Sequence, residues 1–156
     1  MKKLSKILLS LSLLFAFLTG CSSELPDVGD LNIGGNNETS TIEKGEYYYS
    51  LDDVSLYLHT YGELPDNFIT KDEAYDLGWN NKEGNLWEVA EGMCIGGDRF
   101  GNYEGLLPKE KGRQYYEADI DYNGGYSYEK RLVFSNDGLM YYTEDHYNTF
   151  EEISYE

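Results

Sequence analysis

The sequence has few cysteines, few histidines and few positive charges. Its two cysteines and two histidines, among 156 residues, form no cluster with the spacing of a zinc site, so we predict no metal and no cofactor. Lys and Arg number 12 against 29 Asp and Glu, which gives a formal net charge of −17. Such a charge opposes the approach of phosphate backbones at long range and argues against a nucleic-acid substrate.

The N-terminal segment has an apolar run that is too short to span a membrane. Three lysines precede or begin it, and residues 7–18 are apolar apart from two serines. Twelve residues suit a signal peptide better than a membrane-spanning helix of about 20 residues. We therefore predict that residues 1–20 are a signal peptide that is removed.

The segment 18–21, Leu-Thr-Gly-Cys, resembles the lipobox of bacterial lipoproteins, in which the Cys becomes the acylated first residue of the mature chain. An ordinary signal peptide that happens to contain a Cys is the alternative. With lipid on Cys21, Cys94 has no partner in the chain, and we expect a small buried residue there and not a reactive thiol. The predicted location is the outer face of the bacterial cytoplasmic membrane, or the medium after release.

The rest of the chain divides by composition into a tether and one domain. Residues 21–45 are rich in Ser, Gly, Asn, Asp and Thr and should form a flexible tether. Residues 46–156 contain all 16 tyrosines and both tryptophans and suit one compact domain, which we predict to be a monomer. Loss of residues 1–20, which hold three lysines and no acidic residue, would bring the net charge to −20.

Positive residues lie near the segments that could form an active site. They allow either a local basic patch on an acidic body or an ordinary solvated surface. These residues are Lys71, Lys109, Lys111, Arg113, Lys130 and Arg131.

Capping residues and apolar spacing predict three helices in the first half of the domain. A polar capping residue opens each helix and a glycine closes it. The predicted helices lie between Ser50 and Gly62, between Thr70 and Gly78, and between Asn85 and Gly92.

The second half alternates apolar and polar residues or contains short aromatic and β-branched runs, as strands do. Asn-Asp-Gly at 136–138 predicts a tight hairpin turn. Helices followed by such strands indicate an α+β fold, with N-terminal helices packed on a five-stranded antiparallel sheet. The predicted strands are 94–98, 113–119, 131–135, 139–143 and 149–153.

Two side chains could carry acid–base chemistry. Glu117 falls on the strand face opposite Ala118 and Ile120, which we interpret as the core face. His146 follows the fourth predicted strand in an acidic loop. A carboxylate base with an imidazolium acid can take a proton from one oxygen and give one to another. A solvated Glu and a surface His are the alternative interpretation.

Six segments resemble barnase and its close relatives, the small guanyl-preferring microbial ribonucleases, in the family's order and without gaps. The resemblance runs from about residue 46 to residue 154 and implies three helices packed on a five-stranded antiparallel sheet. The segments are 64–71 (LPDNFITK), 77–79 (LGW), 82–86 (KEGNL), 95–100 (IGGDRF), 117–122 (EADIDY) and 143–150 (TEDHYNTF).

The resemblance implies metal-independent cleavage of single-stranded RNA after guanosine. Glu117 would take the proton from the ribose 2′-OH, and His146 would protonate the departing 5′-oxygen, leaving a 2′,3′-cyclic phosphate that is then hydrolysed to a 3′-phosphate. Lys71 and Arg131 occupy positions where the family places cations near the scissile phosphate. The resemblance further implies a base-binding set of Phe100, Gly101, Asn102, Tyr103, Glu104 and Tyr147.

The chain departs from the family pattern at three positions. Ser127 stands where the family has a second active-site Arg, and loss of one such contact costs about 10² to 10³ in rate. In the base-binding loop, Tyr103 replaces an Arg and Gly101 replaces a Ser, although Tyr103 could stack on a base. Lys130 should not compensate for the missing Arg, because neighbouring strand residues point to opposite faces.

These departures bear on partners and on function. The acidic body and the missing Arg at Tyr103 oppose tight binding of a barstar-like inhibitor, which recognises a basic site by charge complementarity. They also leave an alternative function open, in which a weakened or inactive ribonuclease-fold module binds a nucleotide or a protein at the cell surface.

Overall fold

The computed structural model describes residues 41–155. The predicted signal peptide, the lipidated Cys21 and most of the predicted tether lie outside the described residues. No helix within 41–155 combines the length and the apolar character needed to cross a membrane. The elements in chain order are α1 (Leu51–Tyr61), β1 (Phe68–Ile69), α2 (Lys71–Asp76), α3 (Leu86–Val89), β2 (Cys94–Phe100), β3 (Tyr115–Asp119), β4 (Arg131–Ser135), β5 (Met140–Thr143) and β6 (Glu151–Ile153).

The strands form one sheet whose spatial order follows the chain from β1 to β6. Strands β2 to β6 pair antiparallel and confirm the predicted α+β fold with its five strands. The predicted number is one too low, because β1 pairs parallel with the start of β2 through Phe68↔Cys94 and Ile69↔Ile95. A strand of two residues is too short to show an alternating pattern.

Helices α1 and α2 begin where the capping residues predict. The Ser50 side chain accepts a hydrogen bond from the Asp53 backbone N–H at 3.1 Å, and the C-cap of α1 is Gly62, whose φ of 73° favours glycine. Thr70 and Glu73 form the predicted capping box at the start of α2. The start of α2 is therefore fixed by local hydrogen bonds.

The predicted start of α3 after Asn85 is confirmed, but the predicted end at Gly92 is wrong. The Asn85 side chain makes no capping hydrogen bond, because its Oδ1 accepts from the Asn80 backbone N–H at 2.7 Å. The helix ends after Val89 with Ala90 as its C-cap, before Gly92 is reached. Asn85 thus stands at the N-cap position while its side chain closes the preceding loop.

Three apolar clusters divide the core. One lies between α1 and one face of the sheet and contains Val54, Leu58, Ile120, Leu132 and Met140. The second packs under α2 and α3 and contains Ala74, Leu86, Cys94, Ile95 and Tyr122. The third covers one end of the opposite sheet face and contains Leu107, Tyr115, Val133 and Tyr141. The third cluster therefore covers the Tyr115 end of the opposite face, and the Glu117 side chain is less exposed to solvent than predicted.

Cys94 is fully buried in the second cluster, as predicted. Its exposed fraction is 0%, and burial raises the pKa of its thiol to about 12. A thiol with so little thiolate at neutral pH is a poor nucleophile. Cys94 is therefore a packing residue.

Candidate active site

The central strands β3 and β4 place charged side chains on the sheet face opposite α1. Alternation along β3 puts Tyr115, Glu117 and Asp119 on this face, and Asp119 pairs directly with Arg131 of β4. Because both strands lie in the middle of the sheet, these side chains have fixed positions relative to one another.

Glu117 lies at the centre of this face with both carboxylate oxygens hydrogen-bonded. The Lys71 Nζ lies 2.6 Å from Oε1, and the Tyr147 hydroxyl donates to Oε2 at 2.7 Å. Only 12% of the Glu117 side chain is exposed. A carboxylate accepts about four hydrogen bonds, so each oxygen retains a lone pair for a further proton donor.

Lys71 is held at the start of α2 by Asp98. The Asp98 Oδ2 accepts a hydrogen bond from the Lys71 backbone N–H at 2.9 Å. A β-bulge at Gly97, whose φ is 92°, shifts the register so that Asp98 pairs with Glu117. Burial alone would lower the pKa of Lys71, but its hydrogen bond and ion pair with Glu117 outweigh burial, and the pKa is raised. Lys71 therefore stays charged.

Asp98 was not among the predicted site residues. Its signal in the sequence is the Gly96-Gly97-Asp98 segment, because two glycines before an acidic residue suit a bulge that re-aims a side chain. The acidic charge at the first turn of α2 also matches the helix dipole.

Arg131 is anchored by Asp119, a second residue that the sequence did not single out as functional. The Arg131 Nε lies 2.8 Å from the Asp119 Oδ1, and the Ser127 hydroxyl donates to the other Asp119 oxygen. Burial raises the pKa of Asp119, and the Arg131 charge and the Ser127 hydrogen bond oppose this rise. Ser127 is thus a second hydrogen-bond partner of Asp119, but it supplies no positive charge.

The guanidinium of Arg131 makes further contacts with the protein. Its NH1 group donates to the carbonyl oxygens of Tyr128 and Lys130, and its NH2 lies 3.1 Å from the Ser127 hydroxyl. These contacts fix the plane of the guanidinium.

The other positive residues do not combine into a basic patch. Lys130 pairs with Asp121 at 2.6 Å, and Arg113 pairs with Asp137 at 2.7 Å. Lys71 and Arg131 have carboxylate partners as well, so four of the six cations near the site are locally neutralised. The Lys130 pair also agrees with the expectation that this residue does not replace the missing Arg.

His146 lies in a tight loop after β5 that Asp145 organises. The Asp145 carboxylate accepts hydrogen bonds from the Thr149 backbone N–H at 2.9 Å, the Thr149 hydroxyl at 2.7 Å and the Thr143 hydroxyl at 2.9 Å. These bonds, those from Thr149 first, lower the pKa of Asp145 to about 2. His146 and Tyr147 both have left-handed backbone angles, with φ of 55° and 71°.

The strained loop sets the positions of its two aromatic side chains. The His146 ring is exposed and lies 4.8 Å from the Tyr147 ring, whose hydroxyl contacts Glu117. Positive φ at two consecutive residues other than glycine is costly and persists only where neighbouring contacts impose it. The loop therefore presents the imidazole on the same side of the sheet as the Glu117 carboxylate.

The predicted base-binding loop is closed by Asn102. The buried Asn102 side chain donates to the Leu107 carbonyl at 2.9 Å and accepts from the Leu107 N–H at 3.0 Å. Because both polar atoms of the Asn102 amide are hydrogen-bonded within the loop, a ligand would have to bind the backbone groups of the loop instead. Phe100 packs on Tyr147 with ring centroids 5.1 Å apart, so the loop is joined to the His146 loop.

The predicted base-binding residues do not all share one cavity. Phe100, Gly101, Asn102 and Tyr103 line a cavity of about 360 Å³, whereas Glu104 is exposed outside it and Tyr147 contacts Glu117. The Tyr103 ring lies over Gly101, since a Cβ at Gly101 would come within 2.2 Å of it. The Ser-to-Gly and Arg-to-Tyr departures therefore fit together.

Metal ligands do not converge anywhere in the described part of the chain, where no group of three or more His, Cys, Asp or Glu side chains could hold an ion. The candidate chemistry is carried by a held carboxylate, two anchored cations and an exposed imidazole on one sheet face. Such a site on an α+β scaffold, beside a loop with open backbone groups, defines a nuclease of the microbial ribonuclease class.

Comparisons with known proteins agree with this class. The model of a family described as ribonuclease matches residues 52–154. The chain is 44% identical to a ribonuclease of Bacillus intermedius over 98% of its length and 99% of the relative's. It is 42% identical to a Bacillus pumilus ribonuclease over the same shares of both chains, and 53% identical to a Heyndrickxia coagulans ribonuclease over 67% of this chain and 95% of that one. The chain belongs to the barnase-type ribonuclease family and is an endoribonuclease.

Proposed function

We propose that this ribonuclease cleaves single-stranded RNA after guanosine by transesterification, without a metal ion. The observation that carries the proposal is the Glu117 carboxylate, which Lys71 and Tyr147 hold in a fixed orientation on the same sheet face as His146. A general base and a general acid on opposite sides of one phosphate give in-line attack.

In the first step Glu117 accepts the proton of the ribose 2′-OH while the 2′-oxygen forms a bond to phosphorus. The bond from phosphorus to the 5′-oxygen breaks, and His146 gives that oxygen its proton. The products are a 2′,3′-cyclic phosphate and a free 5′-OH. In the second step the roles reverse, and water opens the ring to a 3′-phosphate. DNA lacks the 2′-OH and is not a substrate.

Lys71 and Arg131 stabilise the charge that grows on the phosphate oxygens. Their present carboxylate partners do not prevent this role. Once Glu117 takes a proton it becomes neutral, and Lys71, 2.6 Å away, is released to the phosphate. Arg131 is the weaker of the two, because its donors face Asp119, Ser127 and two carbonyl groups.

The preference for guanosine rests on the loop at 100–104. Asn102 holds this loop in a closed form in which backbone N–H groups are free to bind O6 of guanine. Glu104 is exposed and unpaired within the described residues, and it supplies an acceptor for the guanine N1 and N2 donors. Phe100 and Tyr103 offer ring faces for the base.

The proposed location is the outer face of the bacterial cytoplasmic membrane, through lipid on Cys21. The lipobox-like segment at 18–21 supports it. Metabolic labelling with a fatty acid analogue tests it: label should enter the protein and be lost in Cys21→Ser. Label in that variant, or none in either protein, rejects the anchor.

The test of the activity uses short RNAs, the purified protein and EDTA, alongside Glu117→Ala and His146→Ala. The proposal expects a 2′,3′-cyclic product from the parent protein, none from either variant, and guanosine 5′ to each cut. Cuts spread over all bases would reject the preference alone. Cleavage that stops in EDTA would reject metal independence. No cleavage from pH 5 to 9 would favour a nucleotide-binding module.

A further inference from the structure

A second cavity, of about 250 Å³, lies beside the candidate active site and is not used by the proposed reaction. Lys71 and Arg131 line it, so it is continuous with the phosphate-binding position. The other walls include two aromatic rings, an amide and a small hydroxyl: Trp79, Tyr126, Asn81 and Ser127.

Two loops make the walls of this cavity and meet at their backbones. A Cβ at Gly84 would lie 2.9 Å from the backbone carbon of Gly125, so the loops touch where neither has a side chain. Trp79 is half-buried and stacks on Tyr75 with ring centroids 4.9 Å apart. Tyr126 is 60% exposed, and its hydroxyl donates to the Lys82 carbonyl at 3.2 Å. Both rings are held in place beside open space.

The cavity exists in part because residue 127 is small. The Ser127 hydroxyl reaches back to Asp119, and its side chain leaves the space in front of Arg131 empty of protein atoms. A longer side chain at this position would enter that space.

The cavity lies on the side of Glu117 away from the base-binding loop. Along β3, Tyr115 pairs with Phe100 next to that loop, Glu117 follows, and Asp119 lines the cavity. Each step of two residues spans about 6.6 Å. Base loop, catalytic carboxylate and cavity therefore follow one another along a single strand face, as successive nucleotides of an extended RNA would.

We propose that this cavity binds the base of a nucleotide next to guanosine in the RNA chain. The proposal rests on the proposed function of the site. Cations at the mouth match a phosphate, the Trp79 and Tyr126 rings match the face of a base, and the Asn81 amide matches its polar edge. The volume falls below the roughly 300 Å³ at which drug-sized pockets begin, which suits one planar base.

The base of the nucleotide before guanosine and the base of the one after it share this chemistry. RNAs with one guanosine distinguish them: ApGpU with its adenine or with an abasic residue in that place, and GpU with its uracil or with an abasic residue in that place. We expect removal of one of these two bases to lower kcat/KM about tenfold and removal of the other to change it little.

Tyr126→Ala should bring the ratio of kcat/KM between the base-containing and abasic substrates close to one, and Ser127→Arg should do the same by filling the cavity. Tyr128→Ala is the matched control, because its ring is 65% exposed and does not line the cavity. The control should keep the ratio. A ratio near one in the parent, or an equal loss in Tyr126→Ala and Tyr128→Ala, overturns the proposal.

Binding without cleavage separates this proposal from the proposed function. The probe is the 2′-deoxy form of the preferred RNA, with Trp79 fluorescence read in a Trp87→Phe background. We expect the base-containing probe to quench Trp79 and the abasic probe to leave it unchanged. Quenching in a protein that cleaves no RNA would reject the activity and keep the cavity's role. Cleavage without quenching would reject the cavity's role alone.

Discussion

At the scale of single residues, Tyr147 differs most from its predicted role. The resemblance assigns it to base binding, whereas the structure places its hydroxyl 2.7 Å from the Glu117 Oε2. Burial, and then the hydrogen bond to Glu117, raise the pKa of Tyr147, so it remains a donor across the working range of pH. Tyr147 therefore orients the carboxylate that we propose as the general base.

We predict that Tyr147→Phe lowers kcat for GpU about tenfold and changes KM little, because the ring contact with Phe100 survives while Glu117 loses one of two fixed donors. Steady-state kinetics measures both constants. Thermal unfolding of the variant serves as the control for folding. An unchanged kcat would show that Lys71 alone suffices to orient Glu117.

The sequence could supply the charged residues of the site but not their partners. Glu117 and His146 follow from motif and chemistry, whereas the Lys71 contact with Glu117 joins residues 46 positions apart. The Asp98 bond to Lys71 spans 27 positions and depends on a bulge. Such contacts join residues that are distant along the chain, so the spacing within one segment does not reveal them.

At the scale of elements, the predictions succeed where the determining contacts are local. The caps of α1 and α2 involve residues three positions apart, so the sequence shows them directly. Asn85 stands at the predicted N-cap of α3 but makes no capping hydrogen bond, because its side chain has a competing partner at Asn80 in the preceding loop. Strand β1 is missed because its partner strand starts 26 residues later, at Cys94.

The loop at 143–149 provides the prediction at this scale. The pKa of Asp145, about 2, lies below its ordinary value of 3.8, because Thr149 and Thr143 hydrogen-bond its charged form. The unfolded chain therefore binds the proton more readily. The stability that Asp145 contributes is present above 3.8 and is lost as the pH falls through about 2.

We therefore expect Asp145→Asn to lower the free energy of unfolding at pH 7, with the difference from the parent shrinking over that acidic range. Urea unfolding at a series of pH values measures it. The variant should also lower kcat at pH 7, since His146 depends on this loop. Glu129→Gln, at an exposed position in the loop before β4, is the control. A difference in stability that stays constant down to pH 2 would contradict the assignment.

At the scale of the whole molecule, counting reactive thiols tests two predictions together: that Cys94 is buried and that Cys21 carries lipid. Cys94 is fully buried, so the native protein should not react with Ellman's reagent at pH 8. In guanidinium chloride we expect one reactive thiol per chain if Cys21 carries lipid through its sulfur. Two thiols would indicate an unmodified Cys21, and reaction in the native state would contradict the buried position of Cys94.

Net charge governs how this ribonuclease meets its substrate. The chain carries −17 in full and would carry −20 without residues 1–20, and Lys71 and Arg131 have carboxylate partners. The substrate is itself a polyanion. At about 10 mM ionic strength charges interact over about 30 Å, and at 150 mM over about 8 Å. Salt should therefore remove long-range repulsion before it weakens the short contacts of Lys71 and Arg131.

We predict that kcat/KM for a long single-stranded RNA rises as NaCl increases from about 10 to about 150 mM and falls at higher salt, when the phosphate contacts are screened. Initial rates in EDTA measure this dependence. GpU, with a single phosphate, is the control and should show only the fall, because repulsion grows with the charge of the substrate. A rate on long RNA that declines steadily from 10 mM would mean that the local field of the site is positive despite the acidic body, and that the paired cations still attract RNA from a distance.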